Sequence, residues 1–310
     1  MSTQLLVVGS VALDSVEAPA GKHDDILGGS ASYFAAAASY FAHPSLVAVV
    51  GEDFPEEHLA FLRGRGVDLG GLERVPGRSF RWAGRYSEDM NHRTTLDTQL
   101  NVFVDFQPHL APAQRDARYL FLANIHPSLQ LDVLSQVKQP KFVAMDTMNL
   151  WIQTTPAELA KVLARVDLLV INDEEARLLA GPAASRNLVK AARAILAMGP
   201  KTIIIKRGDS GALLFHDSGV FAAPALPLDE VVDPTGAGDC FAGGFMGYLA
   251  RADDLSPRAV RRAMIYGSVM ASLSIEAFSL ERLRDLQPAE IEARYRAFVH
   301  LTHWDEAAVV

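Results

Sequence analysis

The chain predicts an α/β domain built on a mostly parallel, doubly wound sheet. Three observations carry that expectation. Short apolar runs without alternation recur along most of the 310 residues, as strands covered on both faces require. Stretches with helical spacing separate them, and such strand–helix alternation makes neighbouring strands parallel. A glycine-rich turn at 233–245, DPTGAGDCFAGGF, opens a helix late in the chain, where a sheet of this kind places its ligand chemistry.

In order, the apolar runs are Leu5-Leu6-Val7-Val8, Leu46 to Val50, Tyr119 to Ala123, Phe142 to Met145, Leu168 to Ile171, Thr202 to Ile205 and Ala212 to Phe215. The helical stretches between them are Ser30 to Ala42, Glu56 to Arg63, Leu129 to Gln136, Pro156 to Arg165, Glu174 to Leu179 and Arg186 to Met198. The last third reads as helices over Phe241 to Arg251, Pro257 to Ser274 and Pro288 to Leu301. One region departs from the pattern. Between Arg78 and Phe106, Phe80, Trp82 and Tyr86 alternate with Arg81, Ala83 and Arg85, a period of two that predicts antiparallel strands. The segment Ala12 to Glu17 adds a strand to them. No repeat and no low-complexity linker divides the chain, so residues 1–310 read as one domain.

Composition narrows the function. With 49% hydrophobic residues, a chain of this length can bury roughly 75% of its unfolded surface. The net charge of −8 and pI near 5.6 argue against nucleic acid or an anionic membrane as partner, since either wants a basic patch. Cys240 is the single cysteine, so no disulfide within the chain and no CxxC metal site is available. The N-terminal MSTQLLVVGS lacks the basic lead-in and apolar core of a secretion signal. The apolar-rich stretch Ala31 to Ala42 is too short to span a bilayer. The expectation is a soluble cytoplasmic protein.

The turn at Asp233 to Gly238 holds the chemistry. Pro234 fixes its own φ, and Gly236 and Gly238 open backbone angles closed to other residues. Phe241, Phe245, Tyr248 and Leu249 then share one helix face. A helix entered this way points unpaired N–H groups and the positive end of its dipole into the space before it, which suits phosphate. Asp239 sits in the first helical turn. A proton acceptor beside a phosphate cradle is what transfer of phosphate to a hydroxyl needs. The competing reading is an acidic residue that merely satisfies the helix start. Gly243, Gly244 and Gly247 each cost the helix roughly 1 kcal/mol against Ala, so a backbone or ligand packed very close is expected there.

DPTGAGDCFAGGF resembles the signature of the ribokinase-like (PfkB) carbohydrate kinase family, which includes ribokinase, fructokinases and adenosine kinase. The resemblance implies a three-layer αβα sandwich. It implies a small β lid at 78–106, with part of 12–17, closing over the substrate and sometimes serving as a homodimer interface. By the same resemblance Asp239 is the catalytic base, and the amides of Gly236, Ala237 and Gly238 form the anion hole for the γ-phosphate, with Asp233 and Thr235 on the nucleotide side. Asp14, in VVGSVALD, matches the aspartate that binds substrate hydroxyls; a turn or capping role competes. Gly28, Gly29 and Ser30 open a helix where the substrate would meet the backbone, while Ser30 also reads as a plain N-cap. Many sugar kinases carry GGxxxN there, whereas this chain has Tyr33, an aromatic that either stacks on a ring or fills space. Asn172 and Glu175 match the family's NxxE, in which the glutamate acts through water on Mg²⁺ and the phosphates; an acidic first helical turn is the alternative. Lys206 to Gly211 resembles the nucleotide loop, often TxGxxG, with Lys206 in place of Thr and Gly208 and Gly211 admitting the nucleotide. A hairpin turn would use the same glycines. Arg81, Arg85, Asn91, His92 and Arg93 are lid side chains within reach of substrate, none standing out.

The function these residues predict is ATP-dependent transfer of the γ-phosphate to a primary hydroxyl of a small sugar, with Mg²⁺ and, as the family allows, a monovalent cation such as K⁺. A nucleoside is the alternative acceptor, because Tyr33 and the aromatic lid strand could stack on a base. A non-catalytic sugar or nucleotide sensor on the same fold is the reading from another class, and the intact Asp239 and Glu175 argue against it. No GxxxxGK[ST] occurs, and the dinucleotide fingerprint fails at Phe241, where a third glycine belongs. There is no HExxH, and His300 and His303 read as part of a surface tail.

Overall fold

The computed structural model describes residues 4–90, 92–217 and 219–303. Asn91, one of the lid side chains considered above, lies outside them. The strands are β1 (Leu5–Val8), β2 (Ala12–Ala18), β3 (Gly21–Gly28), β4 (Pro44–Gly51), β5 (Asp68–Val75), β6 (Phe80–Tyr86), β7 (Arg93–Gln99), β8 (Tyr119–Leu122), β9 (Phe142–Asp146), β10 (Leu168–Asn172), β11 (Thr202–Lys206), β12 (Ala212–His216) and β13 (Gly219–Ala223). A nine-stranded sheet runs in the order β13-β12-β11-β10-β9-β8-β1-β4-β5. It is parallel from β11 through β5, and β12 and β13 extend it as an antiparallel hairpin.

Helices cover both faces, which is why the strands do not alternate. In β1, Leu5 and Val7 enter one core while Leu6 and Val8 enter the other. The first core is closed by the helices Ser30–Ala38, Ala237–Ala252 and Pro257–Ser274. The second is closed by the helices Pro127–Gln136, Pro156–Leu163 and Leu188–Leu196. The result is three layers, helix on sheet on helix.

The helix glycines have the close-packing role their cost implied. A side chain on Gly243 would overlap the Phe34 carbonyl, one on Gly244 would stand 2.7 Å from the Tyr266 carbonyl, and one on Gly247 3.0 Å from the Ala38 backbone. The Ala237–Ala252 helix therefore lies backbone to backbone with its two neighbours, and its N-terminus is held rigidly.

A second sheet of four strands, in the order β3-β2-β6-β7, stands apart from the first. β2 pairs parallel with β6, and the outer pairs are antiparallel. Three strands escape the sequence pattern. β3 (GKHDDILG) is exposed from Lys22 to Asp25, so it has no buried face to produce alternation. β5 and β13 are largely exposed edges, the first with few apolar residues and the second only five residues long. Ser30 is also not the N-cap. Gly29, at φ 93°, holds that position, and Ser30 is the first helical residue.

Candidate active site

The parallel strands β9, β10 and β11 end, at their C-termini, on Asp146, Asn172 and Lys206. The Ala237–Ala252 helix begins nearby, so these ends and the Asp233–Asp239 turn share one cleft. Ligands of open α/β sheets bind in this position.

The turn is braced from within. Asp233 is 1% exposed, and its two carboxylate oxygens accept from the amides of Thr235 (2.9 Å) and Ser279 (3.0 Å). One oxygen is bonded within the turn and the other to Ser279, so Asp233 braces the turn against a distant segment. Thr235 donates its hydroxyl to the Tyr86 oxygen at 3.1 Å, which ties the turn to the end of β6 in the second sheet. Gly236 is left-handed at φ 73°, ψ 0°, and caps the helix.

The amides differ from expectation in one respect. The Ala237 N–H donates to the Pro234 carbonyl at 3.2 Å, so it is already engaged. Among the described residues, the amides of Gly236, Gly238 and Asp239 have no protein acceptor. The nest is thus Gly236, Gly238 and Asp239, with Ala237 closing the turn. Lys206 adds charge, since its ammonium lies where a Gly238 side chain would be.

Asp239 is partly exposed to the cleft. Burial lifts its carboxyl to about 6, against the pull of Lys206 and a hydrogen bond from Asp146. Asp146 is 8% exposed. Burial and then the Asp239 charge lift its carboxyl well above the usual carboxylate range. Of the pair, Asp146 is raised the further, and Asp239 is the carboxyl left to ionise. Two carboxyls pushed apart in this way take separate acid and base states. Asp146 was not singled out from sequence. Its signal was there: an acidic residue closing the buried run FVAM at the C-terminal end of a parallel strand.

Across the cleft, Asp14 on β2 is 4% exposed, its carboxylate against Gly28, where any side chain would overlap it. Burial, followed by the Asp233 charge, pushes its carboxyl up to about 8. Ser30 braces the scaffold: its Oγ lies 3.1 Å from the Ser10 Oγ, and its amide donates to the Ser10 Oγ at 3.0 Å. Tyr33 is 1% exposed, with its ring against the Gly236 Cα. The ring is buried and fills space in this state. Asn172 and Glu175 form a reciprocal capping box, each bond 2.8 Å, which opens the Asp173–Ala180 helix and leaves one Glu175 oxygen outside that pairing. Gly208 and Gly211 carry a one-turn hairpin between β11 and β12. Of the lid arginines, Arg81 and Arg85 pair with acidic neighbours. Arg93 is the one whose charge acts on Asp14, Asp239 and Glu175, with its guanidinium 5.2 Å from the Trp82 ring centre. Cys240 is fully buried, its thiol raised by burial and therefore inert.

Gly236 gives a first test. Alanine there pays for left-handed backbone and for a methyl group overlapping the Tyr33 ring. Gly236→Ala should destabilise the protein by about 2–4 kcal/mol, read by denaturant unfolding. An unchanged midpoint would mean the turn relaxes freely.

Residues 4–282 match the pfkB family of carbohydrate kinases. A cytidine kinase of Thermococcus kodakarensis is 31% identical over 260 residues, covering 81% of this chain and 90% of that protein. Among solved structures, a nucleoside kinase of Burkholderia thailandensis in complex with inosine aligns with a TM-score of 0.76 at 21% identity, over 96% of this chain and 99% of that one. An Arabidopsis thaliana ribokinase complexed with ribose and ATP aligns at 0.77 and 20% identity, with the same coverage. These two establish the likeness of fold, and no helix among the described residues is long and apolar enough to cross a membrane. With its αβα layers, its carboxylate at the head of the glycine-rich helix and a family match over nearly its whole length, the chain belongs to the pfkB family of carbohydrate kinases and is a phosphotransferase.

Proposed function

We propose that this kinase moves the γ-phosphate of ATP to the primary hydroxyl of a ribose carried in a nucleoside. The observation that carries the reading is the ionised Asp239 standing beside three amides with no internal acceptor. Asp239 takes the proton of the hydroxyl as that oxygen bonds to the γ-phosphorus. The bond to the β–γ bridging oxygen breaks, and ADP departs. The amides of Gly236, Gly238 and Asp239, together with Lys206, meet the charge on the transferring group, so catalysis is positioning and electrostatics. Asp14 accepts from the ribose hydroxyls and fixes the primary hydroxyl toward Asp239. Arg93 sits over the acidic cleft from β7 and offsets its charge.

Among the described residues no cluster of three or more His, Cys, Asp or Glu forms a metal cage. Mg²⁺ carried on nucleotide phosphates needs one or two protein carboxylates and keeps its waters. Glu175 would hold it through water, and the ion would supply charge neutralisation at the phosphates.

The nucleoside assignment draws on the cytidine kinase relative and on Trp82, a partly exposed aromatic on the lid face beside Arg93. A free sugar is the second reading, favoured by the covered ring of Tyr33, which removes one stacking surface. A coupled ADP-release screen separates them. Nucleosides should show the higher kcat/KM, and a free sugar surpassing every nucleoside would reverse the assignment.

The same site predicts a pH profile. A carboxyl raised to about 6 stays protonated, and useless as a base, below that value. At saturating acceptor, where Asp14 is already engaged, kcat should fall about tenfold per pH unit below pH 6 and reach a plateau above it. A flat profile between pH 5 and 8 would contradict the role given to Asp239.

A further inference from the structure

A cavity of about 320 Å³ lies at the opposite end of the large sheet from Asp239, and no step of the reaction uses it. Its floor is made by the first residues of three parallel strands, Phe142 of β9, Leu168 of β10 and Thr202 of β11. Phe245 of the Ala237–Ala252 helix and Val260 of the next helix close one side. The interior is mostly apolar, and its size falls within the range of small-molecule sites.

The rim has the other sign of specificity. Lys141, Lys201 and Arg261 line it against one carboxylate, Asp167. Lys201 holds Asp167 at 2.8 Å, and Lys141 holds Asp253 at 2.7 Å. Arg261 lies 5.5 Å from the Phe221 ring centre and enters no ion pair among the described residues. Two of the three cations are thus paired, and among the described residues Arg261 is the uncompensated charge at the mouth.

We propose that this cavity is an effector site for a small anion with a flat apolar body, such as an aromatic carboxylate, sulfonate or phosphate ester. The aromatic body fills the space between Phe142, Leu214 and Val260, and the anionic group meets Arg261 and Lys201. The fold gives such a ligand a route to the reaction. The strands that begin at the cavity floor end on Asp146, Asn172 and Lys206, and the helix that supplies Phe245 begins at the amide nest. A ligand wedged at the base loads the same rigid elements that position the cleft. The regulatory part rests on the kinase reading above, and the binding part does not.

The test uses the full chain and 8-anilino-1-naphthalenesulfonate as the probe. One site should appear by fluorescence, with the same affinity in the presence of saturating ADP. Arg261→Ala should weaken it about tenfold, the loss of one charge-assisted contact. Val260→Trp, at a half-buried position, should fill the cavity and abolish the signal while leaving unfolding midpoint and probe-free turnover unchanged. Bound probe should alter kcat in the wild type and leave Val260→Trp unaffected. Displacement by ADP, or undiminished binding in both variants, would overturn the site. Binding that follows the prediction while wild-type kcat stays constant would overturn its effector role. A protein inactive on every acceptor would count against the kinase reading alone, since the binding arms are read without turnover.

Discussion

Asp239→Asn should lower kcat by about 10²–10⁴-fold while leaving folding and the KM for ATP close to wild type. The substitution keeps the shape of the helix start and the amide nest, and removes only the proton acceptor. A positioned general base contributes on the order of 10²–10⁴, and nothing else in the cleft can replace it. Burial raises the Asp146 carboxyl further than that of Asp239, and Glu175 is held by the Asn172 amide. The variant also removes a negative charge beside Lys206, so ATP binding should be maintained or slightly tightened. The split between kcat and KM is the readout. Turnover equal to the wild type would take Asp239 out of the role of base.

Asp14→Asn should do two opposite things at once. It should lower kcat/KM for the acceptor by about 10²–10³-fold, because two hydrogen bonds to a carboxylate each contribute about 1.5–3 kcal/mol. It should also raise the melting temperature of the unliganded protein by about 2–5 °C near pH 8. The sign follows from linkage. The folded carboxyl titrates at about 8 against an unfolded value of 3.8, so between those values the folded state holds the extra proton. The stability this gives is complete below 3.8 and lost as the pH rises through 8. Asn has no such titration, so the gap in melting temperature between variant and wild type should widen from pH 5 to pH 8. A constant gap would show that Asp14 is not strained by burial in the empty site. The group that grips the substrate is thus a cost to the fold until the substrate arrives.

The fold was legible where packing produced periodicity. β1, β4 and β8 to β11 are buried on both faces, and their unbroken apolar runs state it directly. β3, β5 and β13 were missed because their exposed faces carry no such pattern. In the site, the signature turn and Asp14 could be read because glycine, proline and acid at fixed spacing have few other uses. What could not be read was how polar groups are shared. That Ala237 spends its amide on Pro234 is a detail of turn geometry, while the bonds of Asp233 to Ser279 and of Ser30 to Ser10 are facts of close approach between distant segments. Asp146 was hidden for the same reason, and Arg93 could be named with the other lid side chains but not singled out: each reaches Asp239 only once β9 and β7 stand in place.

The most direct test of the account is a crystal structure with ADP, aluminium fluoride, Mg²⁺ and a nucleoside. It predicts the phosphoryl mimic about 2.7–3.1 Å from the amides of Gly236 and Gly238, with the acceptor oxygen about 2.6–3.2 Å from the Asp239 carboxylate. A mimic seated away from those amides, with the acceptor hydroxyl out of reach of Asp239, would contradict it.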